Sequence, residues 1–367
     1  MTAAIFIAGA GPTGLTAALA LRRLGRDLRI VDKAPAPARE SRALAVNPRS
    51  LELLEPLGVT ERLLAEGLRL THLQLHDGRA GRDRILRDLP LNVIPHRFPF
   101  MLAIPQGRVE AILEAALSEA GLAVERGTAL TALAEPARPR LTLCGAQGEA
   151  QVDPDLVLAA DGAHSRVRHQ LDLPFPGRRY EADWLLADYR LDCALAPDAA
   201  HIFLQPDGFL FMAPVSPGVW RAMTTHDPVA DALPPGCRIQ ETVWQASFRI
   251  SHRIVPRFQA GAVFLAGDAA HLHSPLGARG MNLGIEDAMV FAHLAADGRL
   301  AQYHARRHRV DSAVVRQIDL LTRVVTGAAP LSRAMRDRLL PLASGIPALQ
   351  GVARRRAMGL VPSGGWD

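Results

Sequence analysis

The sequence predicts an α/β protein: a parallel sheet flanked by helices, an antiparallel sheet inserted into it, and a helical C-terminal region. Three observations carry that reading. Residues 3–32 follow the order strand, glycine-rich turn, helix, strand, and such βαβ units make neighbouring strands parallel. Residues 183–226 hold consecutive strand patterns separated by turn residues, the mark of an antiparallel sheet. Beyond Met281 the spacing is mostly helical, punctuated by Pro330, Pro341, Pro347 and Pro362.

Taken in order, AAIFIAG is a short buried strand and LTAALALRRLG a helix stopped at Gly25. DLRIVD is the next strand. NPRSLELLEPLG (47–58) and GRVEAILEAALSEAG (107–121) carry helical spacing. AVERGTALTALA and RLTLCGA suggest strands, and QVDPDLVLAADG (151–162) one strand ending in Asp-Gly. DWLLADYRLD, HIFLQPDGFLFMAPV and GVWRAMTTH alternate about turns at Pro206-Asp207-Gly208 and Ser216-Pro217-Gly218. GAVFLAGD (261–268) returns to a buried strand, and a helix starts near Met281. No internal repeat or low-complexity linker interrupts the chain.

The composition excludes several classes. At 367 residues and 49% hydrophobic, the chain has material for about two domains with a sizeable core. Its net charge is +5, but Lys33 is the one lysine and the other 41 basic residues are scattered arginines, a pattern of GC-rich coding rather than nucleic-acid binding. The triplet Arg354-Arg355-Arg356 reads as a solvated helix face before it reads as a patch for anionic membrane. Cys144, Cys193 and Cys237 are odd in number and far apart in sequence, without a CxxC pair. A reducing cytoplasm fits, with no structural disulfide. The uncharged run 3–21 lacks a basic leader and contains Gly-Pro, so strand, turn and helix explain it better than a membrane anchor.

Gly9-Ala10-Gly11-Pro12-Thr13-Gly14 is a GxGxxG turn between strand and helix, the Rossmann-like dinucleotide fingerprint. The first glycine permits the tight turn, the second lets a pyrophosphate approach the backbone, and the third lets helix and strand pack. The helix N-terminus then faces the phosphate charge. Asp32 ends the second strand, where its carboxylate can accept hydrogen bonds from ribose hydroxyls and would repel a 2′-phosphate. Two further strand ends carry carboxylates: Asp161 in AADGAHSRVR (159–168) and Asp268 in FLAGDAAH. Behind Gly267-Asp268 stand Pro275, Gly277 and Gly280, and the helix that follows offers free N–H groups. One ligand long enough to touch both GAGPTG and Asp268 explains the set, and a flavin dinucleotide has that length.

Five motifs in order, GAGPTG, ESRALAVNPRSLELLEPLG, IPQGRVEAIL, ADGAHSRVR and FLAGDAAH with its loop, cover nearly the whole chain. In them the chain resembles the class A flavoprotein monooxygenases, the family of p-hydroxybenzoate hydroxylase. The resemblance implies the FAD-binding fold of the p-hydroxybenzoate hydroxylase and glutathione reductase type. It divides the chain into a discontinuous FAD-binding domain (1–75, 98–180, 255–298), a substrate-binding sheet domain (76–97, 181–254) and a C-terminal helical region (299–367). Gly9, Gly11, Thr13, Gly14, Asp32 and Lys33 would hold the ADP half of FAD, with Arg42 and Gln106 flanking it. Asp161 lies in an Asp-Gly motif linked to both FAD and NADPH. Gly267 and Asp268 would meet the ribityl chain, and Pro275, Gly277, Gly280, Met281 and Asn282 the flavin ring. The family commonly has Gly-Gly-Gln-Gly where this chain has Gly277-Ala278-Arg279-Gly280. Arg279 either brings positive charge to the flavin, favouring the anionic reduced ring or an acidic substrate, or turns to solvent or a carboxylate such as Glu286. With 367 residues there is no room for the thioredoxin-like C-terminal domain of some relatives, which predicts the compact form.

Other residues invite weaker readings. His271 and His273 lack further ligands at metal spacing, so a structural role or a flavin-proximal hydrogen bond is expected and no metal. His304 and His308 stand among Arg306, Arg307 and Arg309, a solvated face. No nucleophile elbow or halogenase tryptophan motif is present. Substrate residues should come from the inserted sheet: Tyr189, His201, Gln205, Phe211, Met212 and Met223, with Pro275, and about half should face away. His201 is the candidate relay for deprotonating a ring hydroxyl, and His76, His96 and Arg97 are alternatives.

The expected function is an FAD-dependent, NAD(P)H-consuming monooxygenase that hydroxylates a small aromatic molecule through a flavin C4a-hydroperoxide, with His201, Pro275 and Arg279 as its catalytic candidates. NADPH or NADH is a transient co-substrate and O₂ the oxidant. No nucleic acid and no integral membrane segment are expected, the location is cytoplasmic, and a homodimer is compatible. The rivals are a flavin oxidoreductase of the same fold without oxygen insertion, a quinone-biosynthesis hydroxylase at a membrane surface, and a flavin-binding sensor.

Overall fold

The computed structural model describes residues 5–37, 43–78, 84–206, 208–327, 333, 336 and 345–361. Strand Ile5–Ala8 is buried on both faces, which is why it reads as an unbroken apolar run. Helix Pro12–Arg23 follows, started by a proline whose fixed φ suits the first helical position. Residues 14–21 of this helix are all buried, because it lies against helices Gln106–Glu119 and Gly280–Ala296 as well as the sheet. Strand Leu28–Asp32 then pairs in parallel with Ile5–Ala8.

The first sheet has six strands in the order Gln259–Ala260, Val263–Leu265, Leu156–Ala159, Ile5–Ala8, Leu28–Asp32, Glu125–Arg126. All neighbours are parallel except the first pair. Among the parallel strands chain order runs outward on both sides of Ile5–Ala8, so the crevice at its carboxyl end is a switch point, where open α/β sheets bind ligands. The expected single strand at 151–162 is two, Gly148–Val152 and Leu156–Ala159. Pro154 separates them because it cannot donate to a ladder.

The second sheet has eight strands: His271–Leu272, Arg238–Ile254, Gly177–Asp192, Val219–Thr224, Gly208–Ser216, Ala199–Gln205, His72–Asp77 and Arg84–Pro90. It is antiparallel apart from the parallel pairing of Ala199–Gln205 with His72–Asp77. Its strands therefore begin at His72 and Gly177, a few residues before positions 76 and 181. Asp207, in the expected hairpin turn, lies outside the described residues. Strand Arg238–Ile254 was not expected, yet it pairs along the length of Gly177–Asp192.

Alternation gives this sheet two faces. One carries Tyr189, Leu191, Phe203, Met212 and Trp220, covered by Val229 and Ala232 of the short helix Val229–Ala232. The other carries Trp184, Phe209, Met223 and Ile250, packed against Leu276 and Val325. Helix Tyr303–Thr326 crosses that second face, and helix Pro347–Ala357 follows. Among the described residues no helix is long and apolar enough to cross a membrane.

Candidate active site

One continuous cavity of about 1370 Å³ lies between the two layers. Ordinary ligand pockets reach roughly 1,000 Å³, so this one has room for a cofactor and a second molecule. It starts at Gly11, Pro12 and Thr13, passes Gln106, Gly162 and Asp268, follows residues 272–281, and ends on Phe211, Met223, Phe248 and Ile250.

The glycine turn shows why each glycine is there. Gly9 has φ +100°, and a Cβ on it would stand 2.3 Å from the Ala160 carbonyl oxygen. A Cβ on Gly14 would stand 1.9 Å from the Gly9 carbonyl oxygen, so helix and turn touch backbone to backbone. A Cβ on Gly11 would meet nothing within 4 Å: its space belongs to the cavity. Two residues thus serve packing, and the third opens a cradle at an uncapped helix N-terminus. Asp32 stiffens the cradle by accepting from the Ala10 amide at 2.7 Å and the Ala34 amide at 2.8 Å. Its carboxylate does not line the cavity, and Lys33 is exposed away from it. Arg42 lies outside the described residues.

Two turns face each other across the cradle. Asp161 accepts from the Arg166 and Val167 amides, capping the helix Arg166–Gln170, while its other oxygen is buried without a partner. Asp268 is exposed at the cavity wall. Arg168 holds the turns together by donating to the Ala163 and Ala269 carbonyls, each at 2.9 Å, above the Phe175 ring. Thr13 fills the gap beneath: a Cβ on Gly267 would come 2.6 Å from its hydroxyl oxygen, and one on Gly284 2.2 Å. Gly267 therefore serves packing.

The loop beyond is anchored from inside the protein. Asp287 Oδ2 accepts from the Gly267 amide and from His271 Nε2, both at 2.8 Å. Its other oxygen accepts from Arg307 Nε at 2.5 Å, and Arg307 also donates to Asp311 at 2.6 Å. Burial opposes charge on His271, yet Asp287 and Asp311 hold its imidazole up at about 9. Burial likewise opposes charge on Asp287, but Arg307 and His271 bring it down to about 2. His271, Asp287 and Asp311 have the grouping of a metal site. The Arg307 guanidinium bonds both carboxylates, so in this structure the trio forms part of an ion network.

Pro275, Gly277, Gly280 and Met281 line the cavity, as does Arg279. Arg279 is 2% exposed and pairs with Glu286 at 3.3 Å, the carboxylate named from sequence. Ala278 sits at φ +51°, a left-handed conformation that glycine adopts more easily, at the position where the family resemblance leads one to expect glycine. Asn282 is buried and ties the loop to residues 45–47 through Asn47 and Ala45, so it positions rather than lines. Gln106 lines the cavity while donating to Glu110.

The substrate half divides by strand alternation. Phe211, Met223 and Pro275 line the cavity; Tyr189, His201, Gln205 and Met212 do not. His201 is fully buried on the opposite face, bonded to His76 at 3.0 Å and to the Ala196 carbonyl at 3.0 Å. Its neighbours Ala200 and Ile202 face the cavity instead. The expectation that His201 acts on a bound ring is thus corrected by the pleat. His76, His96 and Arg97 are off the cavity as well. His273 takes the place sought for a polar group. Its Nδ1 bonds the Ser274 carbonyl at 2.9 Å, which leaves Nε2 as the acceptor, buried and without a partner. Burial lowers the imidazole to about 3, so it stays neutral.

These features fit FAD: an open cradle at Gly11, an unpartnered buried Asp161 oxygen nearby, and an uncapped helix N-terminus at residues 280–282. The comparisons agree. The family model described as "FAD binding domain" matches residues 2–231 and 235–318. A 6-methylpretetramide 4-monooxygenase of Streptomyces rimosus is 35% identical over 92% of this chain and 64% of its own length. A pentachlorophenol 4-monooxygenase of Sphingobium chlorophenolicum is 29% identical over 89% of this chain and 65% of its own. The chain thus spans slightly less than two thirds of these relatives. The crystal structure of p-nitrophenol 4-monooxygenase from Pseudomonas putida superposes with a TM-score of 0.87, covering 97% of this chain and 98% of that one, at 19% identity, which speaks for the fold alone. Cradle, facing turns and family match together make this chain a member of the FAD binding domain family, the family of the class A flavoprotein monooxygenases, with FAD as its cofactor.

Proposed function

We propose that this protein is an NAD(P)H-consuming monooxygenase that inserts one oxygen atom of O₂ into an aromatic substrate. The observation that carries the reading is the single cavity joining the Gly11 cradle to an apolar wall of Phe211, Met223, Phe248, Ile250 and Leu276. The names of its relatives, monooxygenases of 6-methylpretetramide and of pentachlorophenol, favour the same class.

When bound, FAD would supply the two-electron store and the place where O₂ is reduced. The chain's residues do the rest. Gly11 and the helix N-terminus at Pro12 would receive the pyrophosphate, and Asp268 would accept from the ribityl hydroxyls. Gly280 and Met281 stand at the uncapped N-terminus of their helix on the cavity wall; there they would meet the flavin ring, and the helix dipole would favour negative charge on it. Phe211, Met223, Phe248 and Leu276 clamp a flat ring and exclude water from the reacting space. His273 Nε2 accepts a hydrogen bond from a substrate hydroxyl and so orients it; a nitrogen held near 3 does not remove its proton.

The test is anaerobic bleaching of bound FAD by NADH and NADPH, with and without a panel of phenols, hydroxybenzoates and larger fused aromatics. One compound should speed bleaching by orders of magnitude. Equal, rapid bleaching with every compound and with none would count against substrate-gated oxygenation.

A further inference from the structure

We propose that Cys193 and Cys237 form a reversible disulfide that staples the ends of the two long strands of the antiparallel sheet. Strands Gly177–Asp192 and Arg238–Ile254 run antiparallel, and the register ends on the pair Asp192 and Arg238. Cys193 directly follows the first strand, and Cys237 directly precedes the second. Carried one step beyond its last pair, the register would set the two cysteines opposite each other. Opposed residues of an antiparallel ladder share a face, with Cα atoms about 4.5–5.5 Å apart. Disulfides span roughly 4.4–6.8 Å between Cα atoms.

Packing agrees with the register. Both cysteines lie, partly buried, against the same apolar cluster of Tyr189, Leu191, Trp220, Val229 and Ala232. Cys144 is exposed in another sheet, on strand Arg140–Gly145, and belongs to no such pair. Sequence distance hid the pair, since the hairpin-like return of the chain is what brings residues 193 and 237 together.

Both residues stand as thiols in this structure. Hydrogen peroxide is the oxidant. One thiolate attacks a peroxide oxygen, the O–O bond breaks, and hydroxide leaves to take up a proton as water. The sulfenic acid formed is attacked by the second thiolate; the S–O bond breaks, the S–S bond forms, and a second water leaves. Two electrons pass from the two sulfurs to the peroxide, and an added dithiol returns them. The closed segment contains strands Ala199–Gln205, Gly208–Ser216 and Val219–Thr224, which supply Ala200, Ile202, Phe211 and Met223 to the cavity wall. The staple therefore stiffens the substrate half and leaves the glycine cradle untouched.

The experiment treats the purified protein, FAD-loaded, with a small excess of hydrogen peroxide. Thiols are counted, peptides are mapped without reduction, and Tm is read with and without dithiothreitol. The expected result is joint loss of two thiols, one linked peptide pair joining Cys193 to Cys237, and a Tm rise of several degrees that dithiothreitol reverses. C193S and C237S should each abolish the link and the Tm rise, while C144S keeps both. The wild-type peptide map decides the matter even if a serine variant folds poorly. Sulfinic acids without a linked pair, a link through Cys144, or a Cys193–Cys237 link that leaves Tm unchanged would overturn the proposal.

Discussion

Asp287 accepts the Gly267 amide proton at 2.8 Å, and this one bond fixes the cofactor turn to the helix that follows it. The helix Gly280–Ala296 thereby sets both the position of Asp268 and the direction of its own N-terminus. The anchor is buried and ionic, since Asp287 also bonds His271 and Arg307.

Asp287→Asn removes one carboxylate from this network and leaves two buried cations short of a counter-charge. Breaking a buried pair in this way costs about 3–5 kcal/mol. Urea unfolding of the FAD-free protein should show that loss. A change under about 1 kcal/mol would mean the network is not the anchor described.

His271 makes the same network pH-sensitive. Its folded pKa of about 9 lies above the ordinary 6.5. Its stabilising contribution is therefore complete below pH 6.5 and disappears as pH rises through 9. His271→Gln should be less stable than the parent at pH 6, with the gap closing by pH 9.5. A gap that stays constant or widens over that range contradicts the assignment of a charged His271.

The glycine turn separates binding from folding. Gly11→Ala places a methyl group in the cavity, so FAD affinity should fall at least tenfold, about 1.4 kcal/mol, while the FAD-free Tm stays near the parent value. Gly14→Ala drives a methyl into the Gly9 carbonyl and should lower Tm with or without FAD. Equal FAD affinity in parent and Gly11→Ala, measured by fluorescence titration, would remove the cradle from the account.

The two faces of the antiparallel sheet predict opposite kinetics. Met223→Ala enlarges the cavity wall and should raise KM for the substrate several-fold with FAD binding retained. His201→Asn acts on the covered face and should lower stability but leave kcat within about twofold. A kcat loss of a hundredfold in His201→Asn, with stability intact, would restore His201 to the chemistry.

Much of this was legible in the chain. The βαβ start, the glycine turn, both Asp-turns and the antiparallel insertion announce themselves because each depends on local spacing or on glycine. Strand Arg238–Ile254 stayed hidden, although Ala246, Phe248, Ile250 and His252 alternate with polar neighbours; the first half is too polar and exposed to look like a strand. Which face of a strand looks into the cavity was not legible, because alternation gives a period but no phase. That is why His201 was singled out and His273 was not assigned to the substrate. For Arg279 the sequence leaves the flavin, solvent and a carboxylate such as Glu286 open, and the structure pairs it with Glu286.

The most direct test of the oxygenase reading uses ¹⁸O₂ with the compound that most speeds flavin bleaching. An oxygenase gives a product carrying one ¹⁸O atom, formed in lower yield by Gly11→Ala at FAD concentrations that just saturate the parent. A product that is oxidised yet contains no ¹⁸O, with O₂ consumed only as an electron acceptor, would contradict it.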